Sequence, residues 1–136
     1  MTEHKASCPC GALSLTASED PLITIACSCR ACQKRTGSAF ATVAYIAKSA
    51  VEVTGPRQRW GRTAASGRGV ENVFCPTCGT TLYWTLDFRP DHMGILVGAF
   101  DTEKPTPTRA VWTCEKLPWV EIPGGWEAFG QGSPGS

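Results

Sequence analysis

Apolar and polar residues alternate along much of this chain, and the period is that of strands rather than helices. "GALSLTA" (11–17) turns Leu13 and Leu15 to one side, and "LITIAC" (22–27) does the same with Ile23 and Ile25. Further strand candidates are "FATVAYI" (40–46), "VEVTG" (51–55), "ENVFC" (71–75), "TTLYWTL" (80–86), "GILVGAF" (94–100), "AVWTC" (110–114) and "WVEI" (119–122). They are short, bounded by Gly, Pro and Asp, and rich in Val, Thr, Tyr and Trp, which pack well on a pleated surface. Only "RACQKRT" (30–36) carries a helical turn or two, closed by Gly37 as a C-cap. No repeat, linker or heptad interrupts the pattern, and "GQGSPGS" (130–136) has the composition of a disordered tail. The expectation is a mostly-β fold of short antiparallel strands with one short helical segment, a single domain over residues 1–136.

Composition sharpens this picture only in part. The 136 residues suffice for one domain, and 42% apolar with 18% charged residues allows a real core. A net charge of +1 gives no bulk electrostatic case for nucleic acid or an anionic membrane. The N-terminal "MTEHKASCPC" lacks the apolar stretch of a secretory signal, and runs such as "SAFATVAYIA" are too short to span a bilayer. A cytoplasmic protein is the simplest placement.

The cysteines change the picture most. There are eight: Cys8, Cys10, Cys27, Cys29, Cys32, Cys75, Cys78 and Cys114. An even number suggests four disulfides, but a reducing cytosol keeps thiols free and disulfide scaffolds normally accompany secretion. C-x-C and C-x-x-C pairs also bring neighbouring sulfurs together on tight turns, which suits a shared metal. "CPCG" (8–11) and "CPTCG" (75–79) each read as a zinc knuckle, with a glycine after the second cysteine. Together they supply four thiolates, a full tetrahedral shell, and leave Cys27, Cys29 and Cys32 as a separate set of three. A competing partition assigns Cys75 and Cys78 to the set of three and leaves Cys8 and Cys10 alone; spacing by itself allows both. Soft sulfur ligands also suit iron, so an iron or redox site on the same thiolates is a further reading.

Taken in order, "CPCGALSL", "CSCRACQKRTGSAF", "VFCPTCGTTLYW", "ILVGAFD" and "LPWVEI" resemble the glutathione-dependent formaldehyde-activating enzyme family, which also includes relatives of centromere protein V. The resemblance runs over about residues 6–122. It implies a tent-like, zinc-binding β fold with two zinc ions per chain. One is a structural zinc on Cys8, Cys10, Cys75 and Cys78, the other a catalytic zinc on Cys27, Cys29 and Cys32. Two features depart from the family pattern. Where the family often has P-x-x-H-I, this chain reads "PTRAVW", with Ala110 in the histidine's place. Cys114 also falls in a strand usually free of cysteine.

Three protein ligands leave the fourth position of a tetrahedral zinc open, and open positions are where zinc does chemistry. The activity implied by the resemblance is that of a carbon–sulfur lyase joining glutathione thiolate to formaldehyde or a related small aldehyde. The alternative is a non-catalytic two-zinc module that acts through a protein partner. Arg30, Lys34 and Arg35 follow the three cysteines and would balance thiolate charge or meet the carboxylates of glutathione, or else form an ordinary solvated face. Several residues have both a functional and a plainer reading. Ser38 is a ligand donor or a loop hydroxyl, Phe40 a pocket wall or core. His92 is an acid–base group or an unremarked loop histidine, and His4 lies in a terminus expected to be mobile. Cys114 is a buried apolar thiol or the ligand that closes the set of three. Trp60, Trp84, Trp112, Trp119 and Trp126 are core or rim, with one in a position to line a cleft.

Overall fold

A computed structural model describes residues 3–64 and 66–134. The strands are β1 (His4–Ser7), β2 (Ser14–Ala17), β3 (Ile23–Cys27), β4 (Ala41–Ala47), β5 (Val51–Thr54), β6 (Gln58–Thr63), β7 (Gly69–Phe74), β8 (Thr81–Leu86), β9 (Arg89–Leu96), β10 (Arg109–Val111) and β11 (Glu127–Ala128). One α-helix is found among the described residues, α1 (Arg30–Thr36); it occupies the segment the sequence marks as helical, and Gly37 ends it in the left-handed conformation at φ 65°. Strands β1-β2-β5 form a small sheet; the large sheet runs β11-β10-β3-β4-β9-β8-β7-β6. The fold is mostly β, as the alternation predicts. Pairing is antiparallel throughout except at β10, which runs parallel to both β3 and β11. No helix among the described residues is long and apolar enough to cross a membrane.

The centre of the large sheet is buried on both faces, and β4 shows how. Its period-two alternation sends Ala44 and Ile46 into one apolar cluster and Ala41, Val43 and Tyr45 into another. The first cluster lies against the small sheet, where Ala6, Leu13, Leu15 and Ala17 meet Leu82, Ile95 and Phe100. Each of the fully buried Leu, Ile and Phe side chains here contributes about 1.5–3 kcal/mol by removal from water. The second cluster gathers Ile25, Cys32, Val70, Trp84 and Val111 on the opposite face. Between these layers, Gly94 lies opposite both Tyr45 and Trp84 in the ladder. A Cβ there would come within 2.7 Å of Trp84 Nε1 and 2.8 Å of a Val43 methyl, so only glycine lets the indole lie flat.

Several expectations are corrected. "WVEI" (119–122) is no strand: Val120 N–H bonds back to Leu117 O at 3.0 Å, and Pro118 and Pro123 on either side have no N–H to offer a ladder. "AVWTC" is strand only to Val111, because Trp112 takes a left-handed φ of 56° and Thr113–Glu115 form a 3₁₀ turn. Strands β1, β6 and β11 were not legible in the pattern, being polar or very short. The tail is held rather than loose over 130–133. Cys114 N–H donates to Gly130 O at 3.2 Å and Trp112 N–H to Gln131 O at 2.9 Å. Arg109 donates to the buried Ser133 hydroxyl at 3.3 Å. Residues 135–136 of the expected tail lie outside the described residues. His4 is likewise fixed in β1, its Nε2 2.9 Å from Asp20 Oδ1 and its ring edge-on to Phe100.

Gly94→Ala is expected to displace Trp84 and cost on the order of 1–3 kcal/mol through overpacking. Gly98→Ala, where a Cβ meets open space, should stay within about 0.5 kcal/mol. Urea unfolding of the two variants checks the difference.

Candidate metal centres

The two knuckles are built alike. Cys8 N–H donates to Leu13 O and Cys75 N–H to Thr80 O, each at 3.0 Å, closing six-residue loops. Inside each loop a glycine returns to the first cysteine's carbonyl, Gly11 to Cys8 at 2.9 Å and Gly79 to Cys75 at 2.8 Å. Both glycines sit at positive φ, 80° and 78°, where a side chain would be strained. The result brings four sulfurs within 4.8 Å of one another: Cys8, Cys10, Cys75 and Cys78. Cys10 Sγ is 3.6 Å from both Cys8 Sγ and Cys75 Sγ. A tetrahedron with Zn–S bonds of about 2.3 Å has sulfur–sulfur edges of about 3.8 Å, so the donor set fits such an ion. All eight cysteines are free thiols, so the disulfide reading does not hold. Cys8 and Cys75 belong to the inter-sheet core while Cys10 and Cys78 are exposed, which places this cluster at the rim of that core. Hydrogen bonds from the Thr80 hydroxyl and backbone N–H hold Cys78 down at about 6.

Cys27, Cys29 and Cys32 form the second sulfur cluster, also within 4.8 Å of one another. Cys27 ends β3, in register with Ala41 and Val111. Cys29 is the N-cap of α1, its sulfur accepting from Cys32 N–H at 3.4 Å. That contact explains the C-x-x-C spacing: a cap side chain faces the third residue of its own helix. The partition into four and three is therefore the one the geometry makes. Cys114 is not in either cluster; it is exposed in the 3₁₀ turn, which corrects its reading as a buried thiol.

Charge in the second cluster is unevenly shared. Hydrogen bonds from Cys27 and then Cys32, with the Cys32 N–H and Arg62 adding, hold Cys29 far below the ordinary thiol range. Cys27 is pushed up by the same two neighbours and by burial. Of the three cations that follow the cysteines, only Arg35 touches sulfur, with Nη2 3.8 Å from Cys32 Sγ and its guanidinium 4.3 Å over the Trp84 ring. Arg30 pairs with Glu115, its N–H donating to Oε1 at 3.0 Å, and Lys34 is exposed.

The set of three lies in the wall of a cavity of about 720 Å³. Val43, Val70, Leu86 and Val111 give it an apolar lining, with Tyr45, Trp84, Phe88 and Trp112 as aromatic surfaces. The Tyr45 hydroxyl accepts from Trp84 Nε1 at 3.1 Å, and burial, then that contact in the opposite sense, leaves its acidity weaker than usual. Arg30, Arg62, Arg68 and Arg89 also line the cavity, as do Gln131, Gly132 and Ser133 of the C-terminal segment. Of the residues singled out in the sequence, Ser38, Phe40, His4 and His92 do not line it; His92 lies in β9 opposite Ala47. Ala110 is buried in β10 between Ala26 and Ala128. Tyr45 and the arginines of β6, β9 and the β6–β7 turn were missed, although "RQRWGRTAASGR" (57–68) carries four arginines and no acid.

The family model described as glutathione-dependent formaldehyde-activating enzyme matches residues 3–115, 113 of the 136. The chain belongs to the glutathione-dependent formaldehyde-activating enzyme family. Among solved structures, a Rhodobacter sphaeroides protein is similar in fold, with a TM-score of 0.59 at 22% identity over 74% of this chain and 91% of that one. No curated protein matches the chain. Two sulfur clusters able to hold metal ions are thus present in a member of this family whose C-terminal segment, beyond the matched residues, closes part of the cavity wall.

After mild chelation, Cys29 should remain open to iodoacetamide at pH 6, because a lowered pKa preserves thiolate as pH falls. Cys27, shifted the other way, should be labelled several-fold more slowly. Peptide mass mapping reads both; equal labelling at the two positions would contradict the charge distribution.

Proposed function

We propose that this protein is a zinc-dependent carbon–sulfur lyase that joins a thiol, glutathione, to formaldehyde or a related small aldehyde and reverses the same step. The observation that supports it is the three-cysteine cluster facing a 720 Å³ cavity, in a chain of this family. In this reading Cys8, Cys10, Cys75 and Cys78 hold a structural zinc, and Cys27, Cys29 and Cys32 hold the catalytic one. Bound by three thiolates, zinc offers a fourth position and keeps a thiol deprotonated at neutral pH.

The chain's own residues do the rest. Arg35 and Arg62 set positive charge beside the sulfurs, which favours the ionised cluster. Val43, Val111, Trp84 and Trp112 exclude water from the lining, which strengthens each charge interaction within. The Tyr45 hydroxyl accepts from Trp84, so its own proton is free to face an oxygen in the cavity. The step is an addition. The thiol sulfur bonds to the carbonyl carbon, the carbon–oxygen π pair moves to oxygen, and that oxygen takes the proton the thiol gave up. Nothing is oxidised or reduced. Eight free thiols suit a reducing compartment such as the cytoplasm.

A second reading, the non-catalytic two-zinc module with a protein partner, draws support from Ala110, which leaves the family's usual histidine position without a side chain able to move a proton.

Thiols and formaldehyde combine unaided, so exchange NMR of glutathione with formaldehyde must be read above buffer background. The wild type should accelerate exchange, and Cys29→Ser should lose at least about 100-fold of that acceleration while falling from two zinc ions to one. Cys75→Ser should fail to fold, because structural metal binding is folding free energy. Two zinc ions with no acceleration by the wild type would decide for the second reading.

A further inference from the structure

The cavity carries far more positive charge than a thiol and formaldehyde require. Four arginines line it, against Glu115 as its one carboxylate, and Glu115 is already taken by Arg30. Outside the lining, Arg59 pairs with Glu71 and Arg109 with Glu127, both at 3.0 Å, while Arg35 meets the Cys32 sulfur and Arg57 the Gly55 carbonyl. Arg62, Arg68 and Arg89 have no carboxylate partner among the described residues. The Nε atoms of Arg62 and Arg89 are buried and without a hydrogen-bond acceptor. An Nε withdrawn from water without an acceptor is costly, and both residues are only half-buried, so their remaining N–H groups stay available to a ligand in the cavity they line.

Their setting also orients them. Arg89 stacks 5.0 Å over both Tyr45 and Phe88, and Arg68 lies 5.6 Å over Phe88. An aromatic face against a guanidinium leaves its in-plane N–H edge for the other side, and that edge matches the two oxygens of a carboxylate. Arg62 comes from β6 and Arg89 from β9, so the cavity offers two separate anchoring points. A volume of 720 Å³ falls in the range of sites for ligands well above the size of a simple alkyl thiol.

We propose that Arg62 and Arg89 form a receiving site for two carboxylates of the thiol substrate, so that the cavity selects acidic thiols over neutral ones. This rests on the thiol–aldehyde reading for its place in catalysis, but the binding it describes does not need a thiol. Arg68, exposed in the turn between β6 and β7, is a supporting cation rather than an anchor.

The test is calorimetric titration of the zinc-loaded full chain with S-methylglutathione, which keeps both carboxylates and has no thiol. The wild type should bind it, and its dimethyl ester should bind at least about tenfold more weakly. Arg62→Gln and Arg89→Gln should each weaken binding about tenfold, whereas Arg59→Gln, in the surface pair with Glu71, should not. Equal binding of acid and ester by the wild type would overturn the proposal even if both variants misfold. So would displacement of S-methylglutathione by inorganic phosphate at equal concentration, which would make the site one for phosphate. Acceleration of aldehyde exchange equally with 2-mercaptoethanol and glutathione would overturn the receiving site while leaving the lyase reading intact. Arginine-dependent binding of S-methylglutathione without any catalysis would do the reverse.

Discussion

Side chains leave β4 alternately for two apolar layers, and the rest of the molecule depends on that strand being covered on both faces. Ala44 and Ile46 point to the small sheet, Val43 and Tyr45 to the cavity side. A strand in this position has no polar face to spare, so its neighbours must supply apolar surface above and below it. The small sheet does so on one side. On the other, α1 and the ends of β3 and β10 complete the cover and leave an aromatic cavity beside it. The two sulfur clusters fall one to each layer, since Cys8 and Cys75 join the first apolar cluster and Cys32 the second.

The clusters reach similar sulfur spacings by different local means. In the knuckles, a loop closed by backbone hydrogen bonds turns two cysteines inward, and left-handed Gly11 and Gly79 make the turn possible. In the set of three, a helix start does the work, with Cys29 capping the N–H of Cys32 and Cys27 arriving from the strand. The knuckles join chain segments 65 residues apart, so whatever binds there ties the N-terminal hairpin to the middle of the chain. The set of three is contained within six residues and closes no such loop. An ion bound at the knuckles would close a long loop, whereas one on the set of three would close almost none.

The chemistry of the cavity depends on parts of the chain far from the cysteines. Glu115 accepts from Arg30 N–H, and Gln33 donates to the Glu115 carbonyl at 2.9 Å, so the 3₁₀ turn after β10 latches α1 in place. The left-handed Trp112 directs that turn and lines the cavity. Such a conformation is costly for a bulky residue, and here hydrogen bonds from Trp112 and Thr113 N–H to Gln131 and Phe129 carbonyls hold it. The C-terminal segment is therefore part of the site's wall.

The sequence by itself determined the strand-rich class, the position of α1 and the set of three sulfurs, because these rest on local period and on ligands a few residues apart; that the two knuckles, 65 residues apart, meet in one four-sulfur cluster was decided by the fold. Cysteines at C-x-C and C-x-x-C spacing must share a turn wherever the turn lies. Tertiary structure alone decided the rest. "WVEI" alternates like a strand, yet prolines on either side deny it a ladder, while polar "QRWGRT" becomes β6 because β7 lies beside it. Arg62 and Arg89 are 27 positions apart and carry no motif; they share a cavity because β6 to β9 fold as successive antiparallel neighbours. Gln131 to Ser133 have the composition of a loose tail and form a wall because β10 is short and leaves Trp112, Thr113 and Cys114 N–H groups to be satisfied. Hydrogen bonds and charges between distant segments are set by pairing order, which one-dimensional spacing does not encode.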